Sequence, residues 1–204
     1  MGRPKQHDET TREALLEAAE RLLEGAGIGA LSVRAVADEI GASTRSVYST
    51  FGSKEGMLEA LAQRCFEMLR DDIGRLPHTA DPSGDVVDAA LTVFRPMAVE
   101  HPSLFSIAFL RAAPHVELGP EVSDAARSGY ELLTERLQRL ADAGLLGGRD
   151  VQEATRQFNA LCFGMAVTEL LNASQLGPDP EGAWRSAFET LLSGFRAPAA
   201  RLSR

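Results

Sequence analysis

The run VADEIGASTRSVY, from Val36 to Tyr48, admits very few backbone paths. Val36 and Ala37 are followed by Ile40 and Gly41, with Val47 and then Phe51 further along. Two helices that cross at roughly 90–120° through a 3–4-residue turn need a small residue where they touch, and Ala37 supplies it. Gly41 can take the left-handed conformation that ends a helix without a Cβ penalty. Ser43 is a preferred N-cap for a second helix. Val36, Ile40, Val47 and Phe51 close a small core behind the pair. The spacing predicts a helix-turn-helix.

Its surroundings support that reading. Thr10 and Glu13 form a T-x-x-E capping box at the start of a first helix. Leu15, Ala18, Ala19, Leu22 and Leu23 share one face of that helix, with Glu13, Glu17, Glu20, Arg21 and Glu24 elsewhere. Gly25 and Gly27 stop it, and Ser32 can cap the next. Beyond Phe51-Gly52-Ser53-Lys54-Glu55 an apolar-periodic run begins at Met57, Leu58 and Leu61. From about Thr10 to Leu61 the chain resembles the DNA-binding domain of the TetR family of bacterial transcriptional regulators. Ala37, Gly41, Ser43, Tyr48, Phe51, Ser53, Lys54 and Glu55 stand in the family's order and spacing. Two positions on the reading face depart from it: Arg45, where many members have a small residue or proline, and Thr50, where many have an aromatic residue or histidine.

The resemblance implies an all-α chain of about nine helices. The expected layout is a flexible basic arm over 1–9, a three-helix DNA-binding domain over 10–55, and a helical effector-binding and dimerisation domain over 56–204. Ser32, Arg34, Ser43, Tyr48 and Lys54 are candidate phosphate contacts, although Tyr48 can also be a half-buried ring with a solvated hydroxyl. Thr44, Arg45, Ser46 and Ser49 lie at the front of the second helix, away from Val47 and Phe51. An arginine there can grip guanine O6 and N7 in a major groove; contact with phosphate alone is the alternative. The arm Gly2-Arg3-Pro4-Lys5 either reaches a minor groove or stays disordered.

The net charge of −8 looks wrong for a DNA binder. It is unevenly spread. Residues 1–54 hold seven Lys and Arg against eight Asp and Glu, whereas residues 55–204 hold fourteen against twenty-one. Charge therefore permits DNA binding through local basic patches without demanding it. The two cysteines, Cys65 and Cys162, sit in apolar helical patterns and read as buried thiols, with a redox role as the alternative. No apolar run approaches the roughly 18 residues of a membrane span, and the polar N-terminus is not that of a signal peptide. The expected location is cytoplasmic.

The rest of the chain reads as helices. One spans about Lys54 to Arg75, another 84–100 with a kink at Pro96, and a short apolar one Ser103 to Ala113. A long amphipathic helix ends near Ala143, one capped by Asp150 runs to about Gln175, and one opened by Asp179-Pro180 runs to about Phe195. FNALCFGMAVTELL, Phe158 to Leu171, is apolar nearly all round, with Glu169 its only charge. Such a helix must be covered on more than one side. With the last helix it reads as a four-helix dimer seam about a two-fold axis, carried by Phe163, Val167, Leu170, Leu171, Trp184, Phe188, Leu191 and Leu192. An internal core helix is the alternative. The region also resembles a TetR subgroup whose helix carries Trp and then His-Gly; Phe158, Phe163 and Gly164 stand at those places, so the histidine is lost.

Phe94, Met97, Phe105, Phe109, Tyr130, Phe158 and Cys162 lie on inward-looking faces of four helices. They suit plain core as well as pocket lining; the resemblance points to a cavity for a small apolar effector. Enzyme readings find no support: there is no G-x-S-x-G, P-loop, G-x-G-x-x-G or H-E-x-x-H. His7, His78, His101 and His115 have no metal-ligand spacing. No cofactor and no metal are expected. The partners are a double-stranded operator, a small-molecule effector and a second copy of the chain. A purely protein-binding helical adaptor, the competing class, leaves Tyr48 and Lys54 unexplained.

Overall fold

The computed structural model describes residues 4–110 and 119–197. Among the described residues the chain forms nine helices and no strand. They are α1 Pro4–Ala26, α2 Val33–Glu39, α3 Thr44–Phe51 and α4 Lys54–Arg75; α5 over residues 82–100; and α6 Pro102–Leu110, α7 Pro120–Asp142, α8 Val151–Asn172 and α9 Pro180–Arg196. A 3₁₀ turn, Ala173–Leu176, follows α8.

The caps sit where side-chain chemistry places them. Ser32 accepts from the Ala35 N–H, Ser43 from Ser46, Asp150 from Glu153 and Asp179 from Gly182. Each satisfies one of the N–H groups that a helix start leaves without an internal partner. The first helix departs from expectation. It begins at Pro4, so Thr10 lies inside it and does not cap it, and the residues read as a free arm from Pro4 onward are helical. Proline is well suited to a first helical turn, and the local box at Thr10 lost to that earlier start. Residues 1–3 lie outside the described residues.

Helix α5 is α-helical over Pro82–Ala89 and Arg95–Glu100, with a π turn at Ala90–Phe94 between them. In that turn the Arg95 N–H reaches back to the Ala90 carbonyl. The wide turn lies just ahead of Pro96, whose ring would collide with a carbonyl in regular α-helix and whose nitrogen has no hydrogen to give. The proline is absorbed, and the helix continues.

The chain forms two compact units. The first comprises residues 1–67 and 101–126. In it α1 packs on α2 and α6, and α2 on α3. Leu15, Leu23, Leu31, Val36, Val47, Met57, Leu61 and Leu104 are its fully buried centre. Phe105 stacks on Phe109 at 4.7 Å, and Phe66 meets Phe109 edge-on at 5.0 Å. Glu24 holds α6 by its start, one carboxylate oxygen accepting from Ser103 N–H and the other from Leu104 N–H, each at 3.0 Å. Glu20 bridges Arg64 at 2.7 Å and His101 at 3.4 Å.

The second unit comprises residues 68–100 and 127–204. Its centre is an aromatic column: Trp184 stacks on Phe188 at 5.8 Å, Phe188 tilts on Phe158 at 4.9 Å, and Phe158 meets Phe94 edge-on at 6.2 Å. Two polar clusters brace it. Arg136, 2% exposed, gives hydrogen bonds to the carbonyls of Ile73, Leu76 and Pro77 at 2.8, 2.6 and 3.2 Å. Ile73 lies in the last turn of α4, where its carbonyl otherwise has only the Leu76 N–H at 3.3 Å, and Leu76 and Pro77 follow the helix. Beside it Asp85 is bonded by Thr79 and Arg139. Burial pushes the Asp85 carboxyl up, but the hydrogen bonds from Thr79 and Arg139 outweigh it and hold the group below its ordinary range.

Candidate nucleic-acid interface

The turn between α2 and α3 is a Schellman closure. Gly41 has φ +65°, its N–H reaches the Asp38 carbonyl at 3.3 Å, and the Ala42 N–H reaches Ala37 at 2.8 Å. A side chain at 41 would be strained by that φ whatever room it had. Ser43 then opens α3, and Val47, fully buried, pins that helix to the unit beneath it. The opposite face is left to solvent. Thr44, Arg45 and Ser49 are exposed, Ser46 is half-buried, and Tyr48 is 55% exposed.

The hydroxyls on this face differ in what they can offer. Ser32 and Ser43 accept backbone N–H groups at 3.1 Å, so each keeps its own proton to donate to a phosphate oxygen. Ser49 spends its proton on the Ser46 carbonyl at 2.9 Å and offers only lone pairs, suited to an amino group on a base edge. Among the cations, Arg34 lies 3.7 Å from Asp38 on the same exposed helix. Arg45 and Lys54 take no carboxylate among the described residues. Lys54 opens α4, where the helix dipole opposes a cation but the free N–H groups favour an anion. Ser53 caps that start by accepting from Gly56 at 3.1 Å. All nine expected DNA-contact residues thus lie on α2, on α3, at the cap positions that open them or at the first residue of α4.

The other expected sites are redistributed. Phe94, Met97, Tyr130, Phe158 and Cys162 belong to the second unit, whereas Phe105 and Phe109 belong to the first. Phe158, Met97 and Cys162 are buried. Burial pushes both cysteine thiols up, so Cys65 and Cys162 are held protonated and away from thiolate chemistry.

The expected dimer seam divides. Phe163 is 40% and Leu171 76% exposed, and Val167, Leu170 and Leu191 are half-buried. Trp184 and Phe188, in contrast, are fully buried within the protomer, and Leu192 is 5% exposed. A side chain already covered by its own chain has no area left to give a partner, so these three are core residues. Trp184 turned inward because its indole N–H has a partner there: Glu169 accepts it at 2.7 Å and also accepts Arg95 at 2.9 and 3.2 Å. The one charge of the apolar run is the knot of α5, α8 and α9. Nothing local in the sequence pointed to it.

Residues 15–61 match the description "Bacterial regulatory proteins, tetR family", and residues 87–191 match "Tetracyclin repressor-like, C-terminal domain". The chain belongs to the TetR family. It is accordingly a DNA-binding, ligand-responsive transcriptional regulator, not an enzyme. No curated protein matches it closely enough in sequence to add to this.

Solved structures share the fold. A TetR family transcriptional regulator, PfmR from Thermus thermophilus, is 23% identical with a TM-score of 0.63, over 93% of this chain and 99% of that one. The fatty acid degradation regulator FadR from Bacillus halodurans is 18% identical with a TM-score of 0.70, over 90% and 99%. A structure described as the molecular basis for control of antibiotic production by a bacterial hormone is 29% identical with a TM-score of 0.67, over 92% and 98%. Among the described residues no helix of this TetR-family chain is long and apolar enough to cross a membrane, and no group of His, Cys, Asp and Glu could hold a metal ion.

Proposed function

We propose that this regulator is a repressor that binds a near-palindromic operator as a homodimer and leaves it when a small apolar effector binds. The observation that carries the DNA half is α3: a short helix pinned by Val47, with Arg45, Thr44, Ser46, Tyr48 and Ser49 on its open side and an uncompensated Lys54 just beyond. One such helix per protomer enters a major groove, and a two-fold pair reads two half-sites. Arg45 reads guanine; Ser32, Arg34, Ser43, Tyr48 and Lys54 hold phosphate.

Pairing in this reading uses the open face of α8, with Phe163, Val167, Leu170 and Leu171, and Leu191 of α9. The exposure of Phe163 and Leu171 supports it. The effector reading rests on the apolar side chains of the second unit, Phe94, Met97, Tyr130, Phe158 and Cys162. Phe105 and Phe109 are left out of that pocket because they cluster with Phe66 in the first unit. FadR, by its name a regulator of fatty acid degradation, shares the fold. An effector releases DNA only through different affinities for the bound and free states. The site of action is the cytoplasm.

Selection of preferred duplexes by the wild type and by Arg45→Ala tests the base-reading claim. The expected result is loss of preference at one G·C pair per half-site, about 1–3 kcal/mol of discrimination. Uniform weakening with every base preference intact would remove Arg45 from the bases and leave it on phosphate.

A further inference from the structure

Within the first unit, a cleft of about 520 Å³ opens beside the end of α3. Arg12 of α1, Thr50 and Phe51 of α3, Glu59 and Gln63 of α4 and Glu121 of α7 are among the residues that line it. Its size falls in the range of small-molecule sites, roughly 300–1,000 Å³. None of these residues is among the nine DNA-contact candidates or the effector-pocket residues; Thr50, expected on the reading face, is half-buried with its hydroxyl donating to the Ser46 carbonyl at 2.8 Å.

The charges lining the cleft have little to do within the fold. Arg12 and Glu121 make no ion pair or hydrogen bond through their side chains among the described residues. Glu59 spends one carboxylate oxygen on the Gly119 N–H at 2.7 Å, and Gln63 gives its amide N–H to Glu67 at 2.9 Å, which leaves its carbonyl. A guest thus meets a guanidinium, carboxylate oxygens, an amide carbonyl and the end of α3 at Thr50 and Phe51. An ammonium alone balances the net charge of one guanidinium and two carboxylates but leaves Arg12 without an anion; a guest carrying an ammonium and a carboxylate on a short aliphatic spacer gives each sign a partner.

The cleft is also mechanically tied to α3. A Cβ at Gly56 would stand 2.1 Å from the Phe51 carbonyl oxygen, so α4 and the end of α3 meet with no slack. A guest seated against Thr50 and Phe51 therefore bears on the recognition helix itself. We propose that this cleft is a second small-molecule site, selective for aliphatic zwitterions of the ω-amino acid class, whose occupancy alters the affinity of α3 for DNA. The binding half stands apart from the DNA reading; the control half rests on it.

The test uses the full chain with glycine, β-alanine, 4-aminobutyrate and 5-aminovalerate as probes, and pentylamine and pentanoate as singly charged controls. Amide NMR shifts are followed without DNA. The expected result is saturable shifts at Thr50, Phe51, Gly56 and Glu121 for one spacer length, weakened about tenfold or more by Arg12→Met and by Glu121→Gln, and absent with both controls. Either variant suffices should the other fail to fold. No saturable shift, equal binding of a control, shifts confined to the second unit, or binding indifferent to both variants would overturn the site. The probe that binds is then added to the protein–operator complex. A changed operator affinity supports control by the cleft, and an unchanged one refutes it. A protein that binds the probe but no duplex at all refutes the DNA reading and the control half, while the site stands.

Discussion

The open face of α3 and the seam around Glu169 use similar chemical groups under opposite conditions. On α3 a guanidinium and several hydroxyls stand in water without carboxylate partners. Around Glu169 a guanidinium, a carboxylate and an indole N–H consume one another's capacity, with the carboxylate only 9% exposed. Polar groups that satisfy each other in a low-dielectric interior hold a fold and specify its packing. Polar groups left free on a rigid helix are available to another molecule. Substitutions in the two regions should therefore separate cleanly: seam variants lose stability, and α3 variants lose DNA.

The largest effect should come from a charge placed where the second unit is closed. Leu192→Glu buries an unpaired carboxylate and is expected to cost on the order of 4 kcal/mol in urea unfolding. Leu171→Glu, on a side chain 76% exposed, should leave the protomer's stability nearly unchanged and split the dimer in light scattering. If Leu171→Glu stays dimeric, the pairing face lies elsewhere and the two-half-site reading goes with it.

Next in size is Glu169→Ala. It strands the Trp184 indole N–H and leaves Arg95 only the exposed Glu181, 3.9 Å away, and is expected to cost about 2 kcal/mol by urea unfolding. Operator binding by whatever remains folded should be preserved. An equal loss of DNA affinity at full stability would break the contrast between seam and α3.

A smaller, pH-dependent effect belongs to Asp85. Its carboxyl is held below the ordinary range in the folded chain, so it contributes stability above that range and loses it as pH falls through the depressed value. Wild type should then lose stability on acidification more steeply than Asp85→Asn. The gap between them should be widest near neutrality and close in acid. Parallel pH profiles would mean that Thr79 and Arg139 do not favour the ionised carboxylate.

The smallest expected effect is the most specific. Lys54→Ala should leave unfolding unchanged, weaken binding to every duplex alike, and lower the slope of log affinity against log salt by about 1. An unaltered slope would take Lys54 off the phosphate backbone.

What the sequence determined by itself is what acts within about one helical turn. Ser32, Ser43, Asp150 and Asp179 cap the helices they precede because a hydroxyl or carboxylate reaches an N–H two or three residues away. Gly41 closes α2 because its φ of +65° is strained for other residues. On α3 apolar and polar residues separate by face, so its exposed side was legible along with its Ser43 cap. On α8 almost every residue from 158 to 171 is apolar, so periodicity could not choose a side. Only the tertiary structure decided that Phe158, Cys162 and Ala166 face inward while Phe163 and Leu171 face out. It also decided that Trp184 and Phe188 are core, because the indole's partner Glu169 lies 15 residues away and that carboxylate's other partner, Arg95, lies 74 away. The same holds for Arg136, which closes carbonyls 59 to 63 residues distant. Local rules cannot reach such pairs; they exist only once burial has brought the elements together and made an unpaired polar group costly.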